Sequence, residues 1–129
     1  MTQNRDLASA ISVASSLLPN VRTSTASGSG VDLAGYNGAA VVAHIGTITD
    51  GTFAISVEES DDNSSFSAAT ALVGSFTNGT SSADDTVQEV SYVGTKRYIR
   101  GKVTVTGSPS TGGPVGITVI RGLPRQQPA

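Results

Sequence analysis

The stretch Ala40-Val-Val-Ala-His-Ile45, which lies between Gly38 and Gly46, decides the fold class. The apolar run is too short for a helix, and the glycines at both ends are typical of the turns that bound a strand. A run that is apolar on both sides of the backbone indicates a strand at the centre of a sheet. We therefore expect this segment to form part of a buried sheet.

A second strand follows at once. Phe53, Ile55 and Val57 alternate with polar or small residues, and this period of two places the three side chains on the core side of a strand. Asp50-Gly51 stands between the two runs and is a frequent hairpin turn. Residues 40–59 are therefore predicted to form a hairpin.

Three further segments, residues 87–93, 98–106 and 115–121, show the same alternation and are separated by glycine- and proline-containing loops. Strands at this spacing predict an all-β fold, an antiparallel β-sandwich that resembles a jelly roll. The core-facing residues expected in these segments are Val90, Tyr92, Ile99, Val103, Val105, Val115, Ile117 and Val119.

The composition is that of one domain. The chain has 129 residues and 13.0 kDa, with 15 glycines, no cysteine and no tryptophan. A chain of this length can bury a core without disulfides or metal. No stretch approaches the length of apolar sequence that spans a membrane, and the first residues lack the layout of a secretion signal, so we expect a soluble chain that does not enter membranes.

The two ends of the chain are expected to lie outside the sandwich. Residues 1–29 are predicted to form an N-terminal arm and linker, extended or partly helical, because residues 22–30 are almost entirely small and polar. The sandwich itself is assigned to residues 30–123 and an exposed tail to residues 124–129. The arm carries an apolar set that we expect to contact neighbouring proteins: Leu7, Ile11, Val13, Leu17 and Leu18.

Charge is distributed unevenly along the chain. Residues 1–95 carry all ten acids and two bases, whereas residues 96–129 carry six bases and no acid. The opposite charges can pair within the molecule, or the basic segment can meet acidic patches on neighbouring proteins. In the second interpretation Arg97, Arg100 and Lys102 are the contacting residues. Nucleic-acid binding is not expected, because the chain as a whole is acidic and Tyr98 is the one aromatic residue in the basic segment.

Few residues suit catalysis. His44, the single histidine, lies within an apolar strand and has no nucleophile motif beside it. The run Asp61-Asp62-Asn63 offers oxygen ligands for a cation but lacks the glycine and the distal glutamate of a calcium-binding loop. Glu58, Glu59, Asp84 and Asp85 could form a glycosidase acid pair only if the fold brought them together. We therefore expect no enzyme, no cofactor and no metal site.

Five segments of the chain, in their order and spacing, form a recognisable pattern: residues 30–37, 46–52, 57–64, 92–100 and 118–122. Together they resemble a family of small virion proteins of tailed bacteriophages. It implies a β-sandwich that acts as a capsid decoration, or cement, protein, binds the major capsid protein on the outer surface of the head, and often forms a homotrimer. It also implies synthesis in the cytoplasm of the host bacterium and a final location in the virion.

Two other functions fit the same residues. A head-fibre base or a neck connector can have a similar small β fold. A carbohydrate-binding module that helps the virion adhere to cells would need an exposed shelf built from Tyr36, Tyr92 or Tyr98.

Overall fold

The computed structural model describes residues 6–124, and these residues form two packed antiparallel sheets. A short 3₁₀ helix, Leu7–Ser9, precedes the first strand and is capped by the Asp6 side chain. The strands are β1 (Ser12–Arg22), β2 (Ala26–Ser27), β3 (Val31–Asp32), β4 (Tyr36–Ile45), β5 (Thr52–Ser60), β6 (Ser67–Ala68), β7 (Leu72–Val73), β8 (Thr86–Tyr92), β9 (Tyr98–Thr106) and β10 (Gly113–Pro124).

Sheet A has the strand order β1-β10-β4-β8-β7, and sheet B has the order β2-β9-β5-β6, with β3 also paired to β9. All of these pairings are antiparallel. The predicted all-β antiparallel sandwich is therefore confirmed. Among residues 6–124, no helix has the length and apolar character that crossing a membrane would require.

The core lies between the sheets and follows the alternation seen in the sequence. Ile45 on β4, Phe53 on β5 and Ile99 on β9 are fully buried, and each points from its own sheet toward the other. A side-chain period of two produces this arrangement wherever one side of a sheet is covered. The predicted core-facing residues are buried or partly buried, as expected: Val90, Tyr92, Ile99, Val103, Val105, Val115, Ile117 and Val119.

The predicted hairpin over residues 40–59 is wrong, because β4 belongs to sheet A and β5 to sheet B. The connection between them crosses from one sheet to the other. Its backbone pairs with the start of β10, through the Gly46 N–H to the Pro114 carbonyl at 2.9 Å. Asp50 does not close a hairpin. Instead its carboxylate accepts N–H bonds from Ser110 and Gly112, in the loop before β10, at 2.9 and 2.6 Å.

The predicted division into an arm of residues 1–29 and a sandwich of residues 30–123 is also wrong. Residues 12–22 form β1, which pairs with β10 along its length, so the sandwich begins at residue 12. Leu17 holds the strand in place because its side chain is buried in the core. The Ser16 hydroxyl, placed next to it, donates to the Ser29 carbonyl at 2.8 Å and accepts from the Gly101 N–H at 2.9 Å. Only Ser16 and Leu17 of this strand are buried, so its sequence lacks the regular alternation of inward apolar residues that marks the other long strands.

Of the predicted tail, residue 124 is the last residue of β10, and residues 125–129 lie outside the described residues, as do residues 1–5 of the predicted arm.

Candidate protein-interaction surfaces

The five apolar residues assigned to the arm lie in three environments. Leu17 belongs to the core and is 5% exposed, so it is not available to a partner. Leu7, in the 3₁₀ helix, and Leu18, on β1, are 67% and 70% exposed. Ile11 and Val13 lie on the outer side of sheet A, where Ile11 sits next to Gly122 and Val13 pairs with Ile120.

The outer side of sheet A is apolar, and we call it the apolar face. Strand register places residues that share this side in rows across the sheet. One row crosses all five strands and carries no charge. In order, it consists of Val13, Ile120, Ala40, Ser91 and Val73.

Two further rows complete the middle of the apolar face. They contain two ionisable side chains, Glu89 and His44, and are otherwise apolar, small or uncharged. His44 is exposed on this face. The rows are Ser15, Thr118, Val42 and Glu89, and then Gly116, His44 and Val87.

Large aliphatic side chains on this face are exposed to solvent to an unusual degree. Val13, Val73 and Val87 are 58%, 62% and 64% exposed. At one end, Leu123 lies over Gly38, with its Cδ1 3.1 Å from the position that a Cβ of Gly38 would occupy. Contiguous exposed apolar side chains on a folded domain mark a surface that contacts another molecule.

The other end of the apolar face has a shallow groove of about 210 Å³ beside His44. Pro19 forms one wall, because it lies over Gly116, where a Cβ would stand 2.9 Å from the proline ring. Pro114 forms part of the opposite wall and lies against Gly46. The glycines at these two positions therefore let proline rings lie flat on the sheet.

The outer side of sheet B has the opposite character. Glu58 on β5 and Arg100 on β9 are opposite each other and form an ion pair of 2.8 Å, and the Phe66 ring lies 4.0 Å from the Arg100 guanidinium carbon. Lys102 stands on the same side, opposite Ser56, and takes part in none of the ion pairs found among residues 6–124. This polar outer face is the usual solvent-facing side of a sandwich.

Arg97 and Lys96 lie at the end of the sandwich where β9 begins. The Arg97 guanidinium donates two hydrogen bonds of 2.9 Å to the two carboxylate oxygens of Asp32, and Lys96 Nζ lies 2.8 Å from Asp61. Together with the Arg100–Glu58 pair, these contacts confirm that the two oppositely charged parts of the chain attract each other within the molecule. Contacts of Arg97, Arg100 and Lys102 with a neighbouring protein stay a prediction.

The paired guanidinium changes the acidity of Asp32. Its hydrogen bonds from Arg97 and, next, from the Ala34 N–H lower the pKa of the carboxyl from 3.8 to about 2. A carboxyl whose pKa is lower in the folded state stabilises the fold above its unfolded pKa, and this stabilisation is lost as the pH falls through the folded value. The relevant window is therefore between pH 4 and pH 2.

Asp32→Asn is expected to destabilise the protein at pH 7, and most of the difference from the wild type should vanish by pH 2. The loss should be at most about 1 kcal/mol, since both partners are exposed and water screens the pair. Urea unfolding at pH 7, 4 and 2 measures it. A difference that stayed constant over this range would mean that the pair with Arg97 contributes nothing through charge.

A cavity of about 420 Å³ opens at the same end, between residues 33–39 and residues 92–97. Tyr92 forms its inner wall and is 4% exposed. The Tyr92 hydroxyl donates to Glu59 at 2.8 Å and accepts from the Lys96 N–H at 3.1 Å. Burial and the Glu59 carboxylate raise the pKa of Tyr92 to about 12. Because its ring is enclosed, Tyr92 cannot contribute to an exposed aromatic shelf for a sugar.

The acidic residues considered for catalysis have separate structural roles. Glu58 and Glu59 face opposite sides of β5, where they bind Arg100 and Tyr92. Asp84 accepts the Ile48 N–H at 2.8 Å and Asp85 accepts the Thr47 hydroxyl at 2.8 Å. The four carboxylates therefore do not converge on one site.

The acidic turn at residues 61–65 is held together by its own side chains. Asp62 accepts N–H bonds from Ser64 and Ser65 at 2.9 and 3.0 Å and the Ser60 hydroxyl at 2.9 Å, and these bonds lower the pKa of its carboxyl. Within residues 6–124, no three histidine, cysteine, aspartate or glutamate side chains are grouped so that they could hold a metal ion.

Two solved structures share the sandwich. The crystal structure of PBSX exported protein XepA matches 98% of this chain with a TM-score of 0.57 and 19% identity, and this chain spans 42% of XepA. The crystal structure of the SPBc2 prophage-derived protein YomS matches 86% of this chain, and 93% of YomS, with a TM-score of 0.50 and 19% identity. At this identity the likeness shows a common fold. No family model and no curated protein matches the chain.

Proposed function

We propose that this protein is a structural component of a phage virion, and more specifically a decoration protein that binds the outer surface of the head where major capsid subunits meet. In this role it stabilises the shell and acts as a homotrimer. The sequence resemblance to small virion proteins supports this function, and the sandwich shared with XepA and with the prophage-derived protein YomS agrees with it.

The observation that carries the proposal is the contrast between the two outer faces. Sheet B presents ion pairs and polar side chains, whereas sheet A presents exposed valines and small residues. A domain with one apolar outer face is suited to lasting contact with other proteins. The four carboxylates considered for catalysis, Glu58, Glu59, Asp84 and Asp85, form hydrogen bonds that hold the fold, in keeping with a structural protein.

A decoration protein gains attachment from repetition. Each copy needs only a modest contact with the shell, because a molecule that holds several subunits at once dissociates only when all of its contacts open together. Shell stabilisation then follows from linkage: a protein that binds the intact shell and not the separated subunits shifts the equilibrium toward the intact state.

The test uses purified particles. Removing the protein is expected to lower the temperature at which heat releases the genome, and adding back purified protein should restore it. Unchanged release would remove the stabilising role. Electron microscopy of the same particles gives the location: copies spread over the head support decoration, whereas a single ring at the neck, or density at the base of a fibre, would contradict it and favour the connector or fibre-base alternative.

A further inference from the structure

The apolar face is too extensive to be an ordinary solvent-facing surface. Its central row runs from Val13 on one edge strand to Val73 on the other, with no charged group in between. Glu89 and His44 are the two ionisable side chains in the rows beside it. The opposite sheet, by contrast, carries Glu58, Arg100 and Lys102 on its outer side.

We propose that the apolar face of sheet A is the surface through which copies of this chain contact one another. This contact surface rests on the function proposed above, in which the protein is a homo-oligomer. It adds the mode of contact, which is the packing of one sheet on another. The apolar face of one copy is covered by the apolar face of a second copy.

The shape of the apolar face supports contact with a second copy. Stacked sheets pack about 10 Å apart when their facing side chains are small enough to interdigitate. Thr118, Ala40 and Ser91 provide a low surface in the middle of the face, and the exposed valines at positions 13, 73 and 87 project around it. A second copy that is shifted along the sheet would place its projecting valines over this low surface.

The area of the apolar face also supports contact with a second copy. Four strands about 4.8 Å apart, each followed for about 25 Å along its length, give about 480 Å², and the two-residue strand β7 adds about 30 Å². Two copies in full contact would therefore bury about 1,000 Å², the smallest area expected of a specific protein interface. A smaller apolar patch would not be enough for a stable pair.

Charge is the third line of support. The central rows carry one carboxylate, Glu89, and no lysine or arginine, so contact between two copies removes little charge from water. Contact with the polar outer face of sheet B would instead cover the Glu58–Arg100 pair and Lys102 with apolar groups, which costs desolvation energy. The apolar face is therefore better matched to itself than to the other face of the protein.

Symmetry allows two arrangements. Two copies related by a twofold axis would cover each other's face completely. Three copies around a threefold axis would place the β1 side of one face against the β8 side of the next. Both use the same residues, and native mass spectrometry distinguishes them.

The experiment compares the wild type with a double variant, Val13→Lys with Val87→Lys, in native mass spectrometry and light scattering of the purified full chain. We expect the wild type to be oligomeric at micromolar concentration, and the variant to dissociate about 30-fold more easily or more, as for residues central to an interface. Both valines are more than half exposed, so circular dichroism and thermal unfolding should show an intact fold. Ser56→Lys with Thr104→Lys, which adds the same two charges on the outer side of sheet B, is the matched control and should leave the oligomer unchanged.

A mixing experiment tests whether the occupant is another copy. The Lys double variant and the corresponding Val13→Glu with Val87→Glu variant should each be monomeric, and mixing them should restore an oligomer that contains both. A monomeric wild type, or an oligomer that the Lys variant leaves intact, would overturn the proposal. A monomeric wild type whose Lys variant no longer binds particles would assign the face to the capsid protein instead, which would overturn self-contact and leave the decoration role standing. Absence of the protein from particles, with the mixing result intact, would reject the decoration role alone.

Discussion

Phe53→Ala is expected to lower the free energy of unfolding by about 3–5 kcal/mol, which corresponds to a fall in Tm of about 10–20 °C for a domain of this size. The Phe53 ring is completely buried between the sheets. It also supports the loop before β10, since its Cζ lies 3.4 Å from the position that a Cβ of Gly112 would occupy. Truncation removes the ring from the core and leaves a cavity that the surrounding β-branched side chains cannot fill.

The matched control is Phe66→Ala. Phe66 is only partly buried and stacks on the Arg100 guanidinium at the surface, where such a contact stabilises by about 0.5–1 kcal/mol. Thermal and urea unfolding of the two variants give the comparison. Similar losses for both would show that the core between the sheets is much less tightly packed than the burial of Phe53 indicates.

Gly112→Ala is expected to cost more than about 3 kcal/mol, because two effects add at this position. Gly112 has a φ of +67°, a left-handed conformation in which alanine is strained. Its new methyl group would also collide with the main-chain carbonyl oxygen of Arg22. The loop cannot move away without weakening the Gly112 N–H bond to Asp50 and the Thr49 N–H bond to the Gly112 carbonyl.

Gly35→Ala separates the two effects. Gly35 has a φ of +90°, but nothing lies within 4 Å of the position of its Cβ, so only the conformational strain of about 1–2 kcal/mol remains. Urea unfolding of both variants should therefore show the larger loss for Gly112→Ala. Equal losses would indicate that the β9–β10 loop and the end of β1 move apart freely, against the contact seen in the structure.

The local pattern of the sequence predicted the strands and their inward residues well. Apolar residues alternate with others at Phe53, Ile55 and Val57, and again at Val115 and Ile117. This alternation arises because one side of each strand is covered, and it involves only residues that are close together in the sequence. It is independent of which strands pair with one another. For this reason the fold class and most of the core could be read before the topology was known.

Pairing could not be predicted in the same way. The Asp50-Gly51 pair is compatible with a hairpin, but the structure uses Asp50 to bind a loop sixty residues further on. Likewise, β1 has few buried residues, and what makes it a strand is its partner β10 at the far end of the chain. Both features depend on contacts between distant segments, which local propensity does not encode.

The interaction surfaces could be predicted only in part. The apolar character of Ile11, Val13 and Leu18 was visible in the sequence, but their grouping with Val73 and Val87 requires the strand register. Leu17 differs from Leu18 only by facing inward, a distinction that the irregular register between residues 15 and 20 of β1 hides from a simple alternation. The uneven distribution of charge along the chain allowed pairing within the molecule to be expected, and Arg97 and Arg100 do form ion pairs with Asp32 and Glu58.

The position of β10 has a consequence for how the protein is made. This strand is internal in sheet A, between β1 and β4, although it is the last strand along residues 6–124. During synthesis, β1 and β4 must therefore wait for residues 113–124 to leave the ribosome before sheet A can close. At about 5–20 residues per second, β1 and one edge of β4 stay unpaired for seconds, and sheet A closes only after β10 has been translated.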